Sequence, residues 1–336
     1  MIQTISFDDV LLLPQYSDIM SRSEVSLTNK LTNVNDTHLP IISSPMDTIT
    51  ENAMAVIMEG LGGFGIIHRY NTIEKQTTLV SSAIKSGSKN VGVAVGVGDD
   101  LEQRAVSAVC AGANIICVDV AHGHHVKVKY AIKVLRNTFG RDIHIMAGNV
   151  ATLGAFNDLS DWGADSIRVS IGGGSICSTR IQTGHGIPTL QAVLNCSRSD
   201  RDTLLIADGG IRSSGDIVKA LGAGADYVIL GSLLAGTDET PGELVHSKGK
   251  FMKIYRGMAS KEAQLDWRGK FSSYEGISHK VPHKGPVEDV INDLKIGINS
   301  GLSYSGARTI KEFQAKATFV KQSLSSQRES LTHIKD

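Results

Sequence analysis

The sequence predicts an α/β chain closed into one (β/α)8 barrel. Three observations carry that expectation. Eight short runs rich in valine, isoleucine and leucine recur along 336 residues. The runs are nearly continuous rather than alternating, the pattern of parallel strands buried on both faces. Their starts lie roughly 20 to 40 residues apart, room each time for a helix and two loops.

Residues 1–38 precede the barrel. The eight runs then follow in order: Leu39–Ser43, Phe64–His68, Asn90–Val95, Asn114–Asp119, His144–Ala147, Asp165–Val169, Leu204–Ala207 and Asp226–Leu230. Helical spacing fills the gaps, as in Asp100–Ala111 and Ser214–Ala223. An open dinucleotide-binding sheet would place G-x-G-x-x-G after its first strand. Here the first run leads into Ser43-Ser44-Pro45-Met46-Asp47, so a closed barrel fits better. Residues from about Gly236 to Pro286 lack strong periodicity and read as a long loop or flap, which in a compact domain is usually functional. One catalytic domain is expected over 1–320, with 321–336 a polar, disordered tail.

Composition bounds the function. Lysine plus arginine is 34 and aspartate plus glutamate is 34, so no global field grips nucleic acid or an anionic membrane. No apolar run reaches the roughly 18 residues of a membrane span. The start, MIQTISFDDV, has no basic-then-apolar ramp, so no signal peptide is expected. Cys110, Cys117, Cys177 and Cys196 form no C-x-x-C pair and read as reduced thiols of a cytoplasmic protein. The 35 glycines are scattered without a three-residue period, which excludes collagen.

A barrel carries its active site at the C-terminal ends of its strands. Those ends hold Ser44, Met46 and Asp47; His68 and Arg69; Asp119, His122 and Gly123; and Gly148 and Asn149. Further on come Gly172–Arg180, Asp208-Gly209-Gly210 and Gly231-Ser232. In the Gly172–Arg180 loop three glycines allow close approach of backbone, and Cys177 is placed as a nucleophile rather than as a buried small hydrophobe. The other three cysteines read as structural. Gly210, Gly231 and Ser232 lie where barrels commonly hold phosphate. Asp208 is a helix cap or an acceptor for ribose hydroxyls. Asp119 reads as a ligand-facing acceptor. His122, His124 and His125 lack a partner at zinc-like spacing. Residues 246–284 hold nine Lys or Arg against three acids, either a solvated face or a receiver of phosphates. Glu275 stands among these cations as a proton carrier or a salt-bridge partner.

The chain resembles the IMP dehydrogenase/GMP reductase family over roughly residues 5–322. The matching motifs are Phe7–Leu12, Ser43-x-Pro-Met-Asp47, Val118–Gly123, Ala147–Thr152, Gly172–Arg180, Ala207–Arg212, Tyr255–Met258 and Lys284–Val287. The resemblance implies a homotetrameric barrel whose cysteine attacks C2 of a purine nucleotide beside a nicotinamide cofactor. Within the family the chain looks closest to GMP reductase, with NADPH as reductant and a covalent thioimidate. The dehydrogenase alternative oxidises IMP with NAD and uses an Arg-Tyr pair on a long flap. Here His68 to Asn90 leaves no room for the regulatory domain that dehydrogenases usually insert. The flap is short, and Arg268 is followed by Gly269 rather than tyrosine. Departures run the other way too. Tyr255–Met258, Ile211-Arg212 and Gly231–Leu233 look more like dehydrogenases. Phe271–Tyr274 replaces an arginine-containing segment of many reductases, and Ser178 replaces the commoner threonine. A silent nucleotide-binding barrel, or a reductase of a GMP analogue, are further alternatives.

By this resemblance, Cys177, Thr179 and Glu275 are catalytic, the last two as a proton relay. Ser44, Asp208, Gly209, Gly210, Gly231, Ser232, Gly257, Met258, Ala259 and Gly276 would bind substrate. Ser21, Arg22, Arg69, Asp119, Ala121, Ser300 and Ser303 would meet the cofactor. Gly172, Gly174 and Cys177 would hold a monovalent cation, potassium, through backbone oxygens.

Overall fold

A computed structural model describes residues 2–31, 34–247, 249–272, 274–330 and 332. A short strand β1 (Val10–Leu12) precedes the barrel. The barrel strands are β2 (Ile41–Ser43), β3 (Phe64–Ile67), β4 (Val91–Val95), β5 (Ile115–Asp119), β6 (His144–Val150), β7 (Ser166–Val169), β8 (Leu204–Asp208) and β9 (Tyr227–Leu230). They pair in chain order, all parallel, and close because Ile42 of β2 registers with both Phe64 of β3 and Ile229 of β9. The eight predicted runs are these eight strands.

The continuous apolar runs are explained by two separate cores. Alternate side chains fill the barrel interior, among them Ile42, Phe64, Ile66, Ile115, Met146, Ile206 and Ile229. The intervening side chains, such as Ile41, Ile67, Val93, Val118, Ile145 and Val228, pack outward on the helices. Tyr227 closes the interior, meeting Phe64 edge-on at 6.1 Å and bonding to the Thr37 hydroxyl at 2.7 Å. Helices Asn52–Gly60, Ile73–Lys85, Leu101–Cys110, Val126–Phe139, Leu153–Trp162, Thr189–Cys196 and Ser214–Gly222 follow the first seven barrel strands. Several start at a side-chain cap, including Thr72, Thr152 and Ser213. Helix Val287–Ser303 packs on Ser214–Gly222 and completes the ring. Only helix Ile73–Lys85 separates β3 from β4, so no regulatory domain is inserted there. No helix among the described residues is long and apolar enough to cross a membrane.

The structure is more ordered than the sequence reading at two places. The segment read as a loop from 236 to 286 holds an antiparallel sheet: β10 (Val245–Ser247), β11 (Lys250–Arg256) and β12 (Ser278–Pro282). Helix Lys261–Arg268 lies between β11 and β12. Most side chains of these strands are exposed, so no apolar alternation marks them. In the stretch read as a tail, β13 (Phe319–Lys321) pairs antiparallel with β1, and helix Leu324–Glu329 follows. Residues 331 and 333–336 of that stretch lie outside the described residues, as does Ser273 of the flap.

Candidate active site

A cavity of about 450 Å³ opens at the C-terminal ends of the barrel strands. Its wall draws residues from most of the barrel loops and from the flap. Of the expected site residues it is lined by Ser44, Arg69, Asp119, Ala121, Gly172, Gly174, Cys177, Thr179, Asp208, Gly209, Gly257, Met258, Ala259 and Glu275.

The thiol sits in a built arrangement. Cys177 Sγ donates to Thr179 Oγ1 at 3.2 Å, and Thr179 Oγ1 donates to Glu275 Oε2 at 2.9 Å. Thr179 opens the short helix Thr179–Thr183, which places its hydroxyl one turn from the thiol. Glu275 arrives from the flap, and a backbone seam fixes it. Cys177 and Gly276 form an antiparallel bridge; Ser178 N donates to Glu275 O at 2.9 Å and Ile277 N to Ile176 O at 3.0 Å. Ser178 Oγ adds a bond to Tyr274 O at 2.7 Å. A threonine would supply the same hydroxyl, so the serine at this position keeps the seam. The seam needs glycine: a Cβ at Gly276 would lie 3.0 Å from Ser260 N and 3.3 Å from the Ala259 carbonyl carbon.

Deeper in the cavity lies a buried cation that the sequence reading passed over. Arg168, 6% exposed, projects from β7. Its Nη1 reaches Asp119 Oδ1 at 2.5 Å, and its Nε and Nη2 fork onto Asp208 Oδ2 at 3.0 and 2.7 Å. Burial works against this charge, but Asp208 and Asp119 outweigh it and hold the guanidinium's pKa well above the usual arginine value. Asn149 Nδ2 also donates to Asp208 Oδ2, at 2.7 Å. Asp208 is therefore oriented as a fixed acceptor at the cavity wall, not as a helix cap. A signal was present: a lone arginine inside a buried apolar run is seldom idle. Beneath it Cys117 is fully buried, and burial pushes its thiol up to about 12, so it is no nucleophile. Cys196 is raised to about 12 by the same cause.

The wall beside Asp119 is aromatic. Tyr70, which follows β3, stacks on Trp267 of the flap helix, centroids 4.2 Å apart at 17°. The Arg69 guanidinium lies 5.4 Å from the Tyr70 ring and 5.6 Å from Trp267, and Arg69 Nε is buried with no hydrogen-bond partner. The Arg268 guanidinium also lies over Trp267, at 5.4 Å, and is bonded to Gln264 Oε1 and Ser272 Oγ at 2.5 and 2.9 Å. Tyr255 of β11 also lines the cavity, its hydroxyl pushed up to about 12 by burial.

Other expected residues fall beside or away from the cavity. A Cβ on Gly231 would lie 3.0 Å from Tyr255 Oη, so Gly231 backs the wall. Gly210 approaches Gly173 O, and Ser232 O accepts from Lys284 Nζ at 3.1 Å. Ser21 caps a short turn, Arg22–Glu24, that packs on helix Val287–Ser303, which carries Ser300 and Ser303; none of the four lines the cavity. His124 pairs with Asp158 at 2.7 Å, and His125 Nδ1 caps Lys127 N at 3.1 Å.

The chain matches the IMP dehydrogenase/GMP reductase domain family over residues 4–333. It is 33% identical to an inosine-5'-monophosphate dehydrogenase of Nitrosopumilus maritimus, covering 98% of each chain. It is 31% identical to a GMP reductase of Leishmania donovani, covering 98% of this chain and 96% of that one. Its fold superposes on a Trypanosoma brucei GMP reductase variant, solved with guanosine 5'-monophosphate, at a TM-score of 0.95 and 31% identity, covering 100% and 99% of the two chains.

Proposed function

The chain belongs to the IMP dehydrogenase/GMP reductase family, and from that premise we propose that it is a GMP reductase, converting GMP to IMP and ammonia at the expense of NADPH. One observation carries the reading: the continuous line Cys177 Sγ, Thr179 Oγ1, Glu275 Oε2. Such a line can remove a proton from the thiol and deliver it to a leaving amine.

The steps follow from the residues. GMP would rest its phosphate against Gly210, Gly231 and Ser232 and its ribose hydroxyls on Asp208, which Arg168 and Asn149 hold in place. Gly257, Met258, Ala259 and Gly276 would face the base, with Ser44 across the cavity. Cys177 attacks C2 as thiolate. Glu275 and Thr179 carry the proton to the exocyclic nitrogen, which leaves as ammonia. A C2 thioimidate remains on Sγ.

The aromatic wall suits a dinucleotide, because flat rings offer a stacking surface and Arg69 Nε, 3.8 Å from Asp119 Oδ2, makes no hydrogen bond there. A nicotinamide cofactor held on that side would supply hydride to C2, and breaking of the C–S bond would restore Cys177. Asp119, Ala121 and Arg69 would face it. Ser21, Arg22, Ser300 and Ser303 lie off this cavity, so they would serve a cofactor only from the adjacent protomer of a homotetramer. The carbonyls of Gly172, Gly174 and Cys177 are hard oxygen donors suited to potassium.

The dehydrogenase reading has the support of the Tyr255–Met258, Ile211-Arg212 and Gly231–Leu233 motifs and of the relatives named inosine-5'-monophosphate dehydrogenase. Against it, Arg268 is tied to Gln264 and Ser272 and is followed by Gly269, so no Arg-Tyr pair is free to activate water. The test supplies GMP with NADPH, then IMP with NAD, and follows cofactor absorbance and ammonia. Cofactor oxidation with stoichiometric ammonia is expected in the first mixture. Cofactor reduction in the second, with none in the first, overturns the proposal in favour of the dehydrogenase. No change in either leaves a binding protein.

A further inference from the structure

The Trp267–Tyr70 stack faces a problem that the proposed chemistry creates. A thioimidate is an activated electrophile, and water competes with reductant for its C2. Water entering from the Cys177 side meets the flap seam, closed by the hydrogen bonds of Ser178, Ile277 and Tyr274. A second approach is the aromatic side. There Tyr70 comes from the barrel and Trp267 from the flap, and their rings lie nearly parallel at contact distance. Two guanidiniums lie against the pair, Arg69 near both rings and Arg268 over Trp267. Stacking and cation–π contact both favour such a pair beyond area burial.

The charged groups on that side are already engaged. Asp119 faces Arg168 at 2.5 Å and Arg69 at 3.8 Å, and Arg268 is bonded to Gln264 and Ser272. Asp47 is the exception: Arg256 holds its Oδ2 at 3.0 and 2.6 Å, and its buried Oδ1, near Tyr70, has no hydrogen-bond partner and could activate water. What decides the fate of the intermediate is then whether water enters at all.

We propose that Trp267, stacked on Tyr70, is the water seal of this site and makes the Cys177 thioimidate partition to reduction instead of hydrolysis. This rests on the GMP reductase reading. Trp267 stands outside the Cys177–Thr179–Glu275 line; it is a specificity-determining residue that acts by exclusion, together with the cofactor that would lie on this side. If the seal is opened, water adds to C2, the C–S bond breaks, Cys177 regains its proton, and the product is XMP. The net leak is GMP plus water giving XMP plus ammonia, with no change of oxidation state.

The experiment supplies GMP with limiting NADPH and quantifies IMP, XMP and ammonia by chromatography. In the wild type, ammonia should equal IMP, with XMP near the detection limit. Trp267→Ala should raise the XMP-to-IMP ratio at least tenfold, and ammonia should continue after NADPH is spent. Trp267→Phe keeps a stacking ring and should restore the wild-type ratio. Tyr70→Ala opens the same wall from the barrel side and reports the same ratio if Trp267→Ala does not fold. An unchanged ratio in a folded open-wall variant, with wild-type ammonia release intact, overturns the seal alone. XMP made by the wild type from IMP and NAD overturns both the seal and the reading it rests on.

Discussion

At the scale of single residues, the relay divides the work in a way that substitutions can separate. Cys177→Ala removes the nucleophile and should abolish turnover while GMP still binds; retained activity would end that assignment. Thr179→Ala and Glu275→Gln should each slow ammonia release by roughly 10²- to 10⁴-fold, the usual reach of a proton relay. Reduction of a preformed intermediate should be far less affected, which single-turnover measurement with excess NADPH distinguishes. Arg168→Met leaves Asp119 and Asp208 as buried charges without their cation. That should cost about 3–5 kcal/mol of stability in denaturant titration. Arg168→Lys keeps the charge but cannot fork onto Asp208 and should recover only part. Among these residues Cys177 was legible because a thiol in a polar glycine loop is unusual. Arg168 was passed over because it stands inside a strand run, where attention goes to its apolar neighbours. The part played by Tyr70 and Trp267 depends on a contact between segments far apart in sequence, which no local pattern announces.

At the scale of elements, the seam between the cysteine loop and the flap is the part on which the site depends. Gly276→Ala would press a methyl against Ser260 N and the Ala259 carbonyl carbon, at 3.0 and 3.3 Å. The flap must then shift, carrying Glu275 with it. The expected outcome is a kcat at least tenfold lower, with a Tm change of only a few degrees. Steady-state kinetics beside a melting curve test the pair of expectations. The barrel strands could be read from sequence because burial on both faces leaves continuous runs of β-branched residues. Strands β10 to β12 could not, because only Lys253 and Tyr255 are buried in them. Pairing of β13 with β1 was hidden for a related reason: its partner lies at the other end of the chain.

For the whole molecule, the balance of 34 basic and 34 acidic side chains leaves stability governed by particular pairs rather than by net repulsion. Glu51 is held below its ordinary value of 4.5 by the hydrogen bond to His68 and by Lys75, against a desolvation penalty. Asp9 is held below 3.8 by Ser6. A carboxyl depressed in the folded state contributes stability that is fully present above its unfolded pKa. That contribution is lost as pH falls through the folded value. Tm should therefore decline below about pH 4.5, and Glu51→Gln should make the decline shallower. A Tm profile from pH 6 to 3 that is unchanged by the substitution would contradict this.

The seam also orders events in time. Glu275 follows Thr179 by 96 residues. At roughly 5 to 20 residues per second, a ribosome needs about 5 to 20 seconds to pass from one to the other. For that interval the nascent chain carries its thiol without its acid partner. Ligand chemistry at Cys177 must wait for the flap to arrive and zip onto the loop. On the proposed mechanism, the last-made third of the protein would arm a nucleophile synthesised long before it.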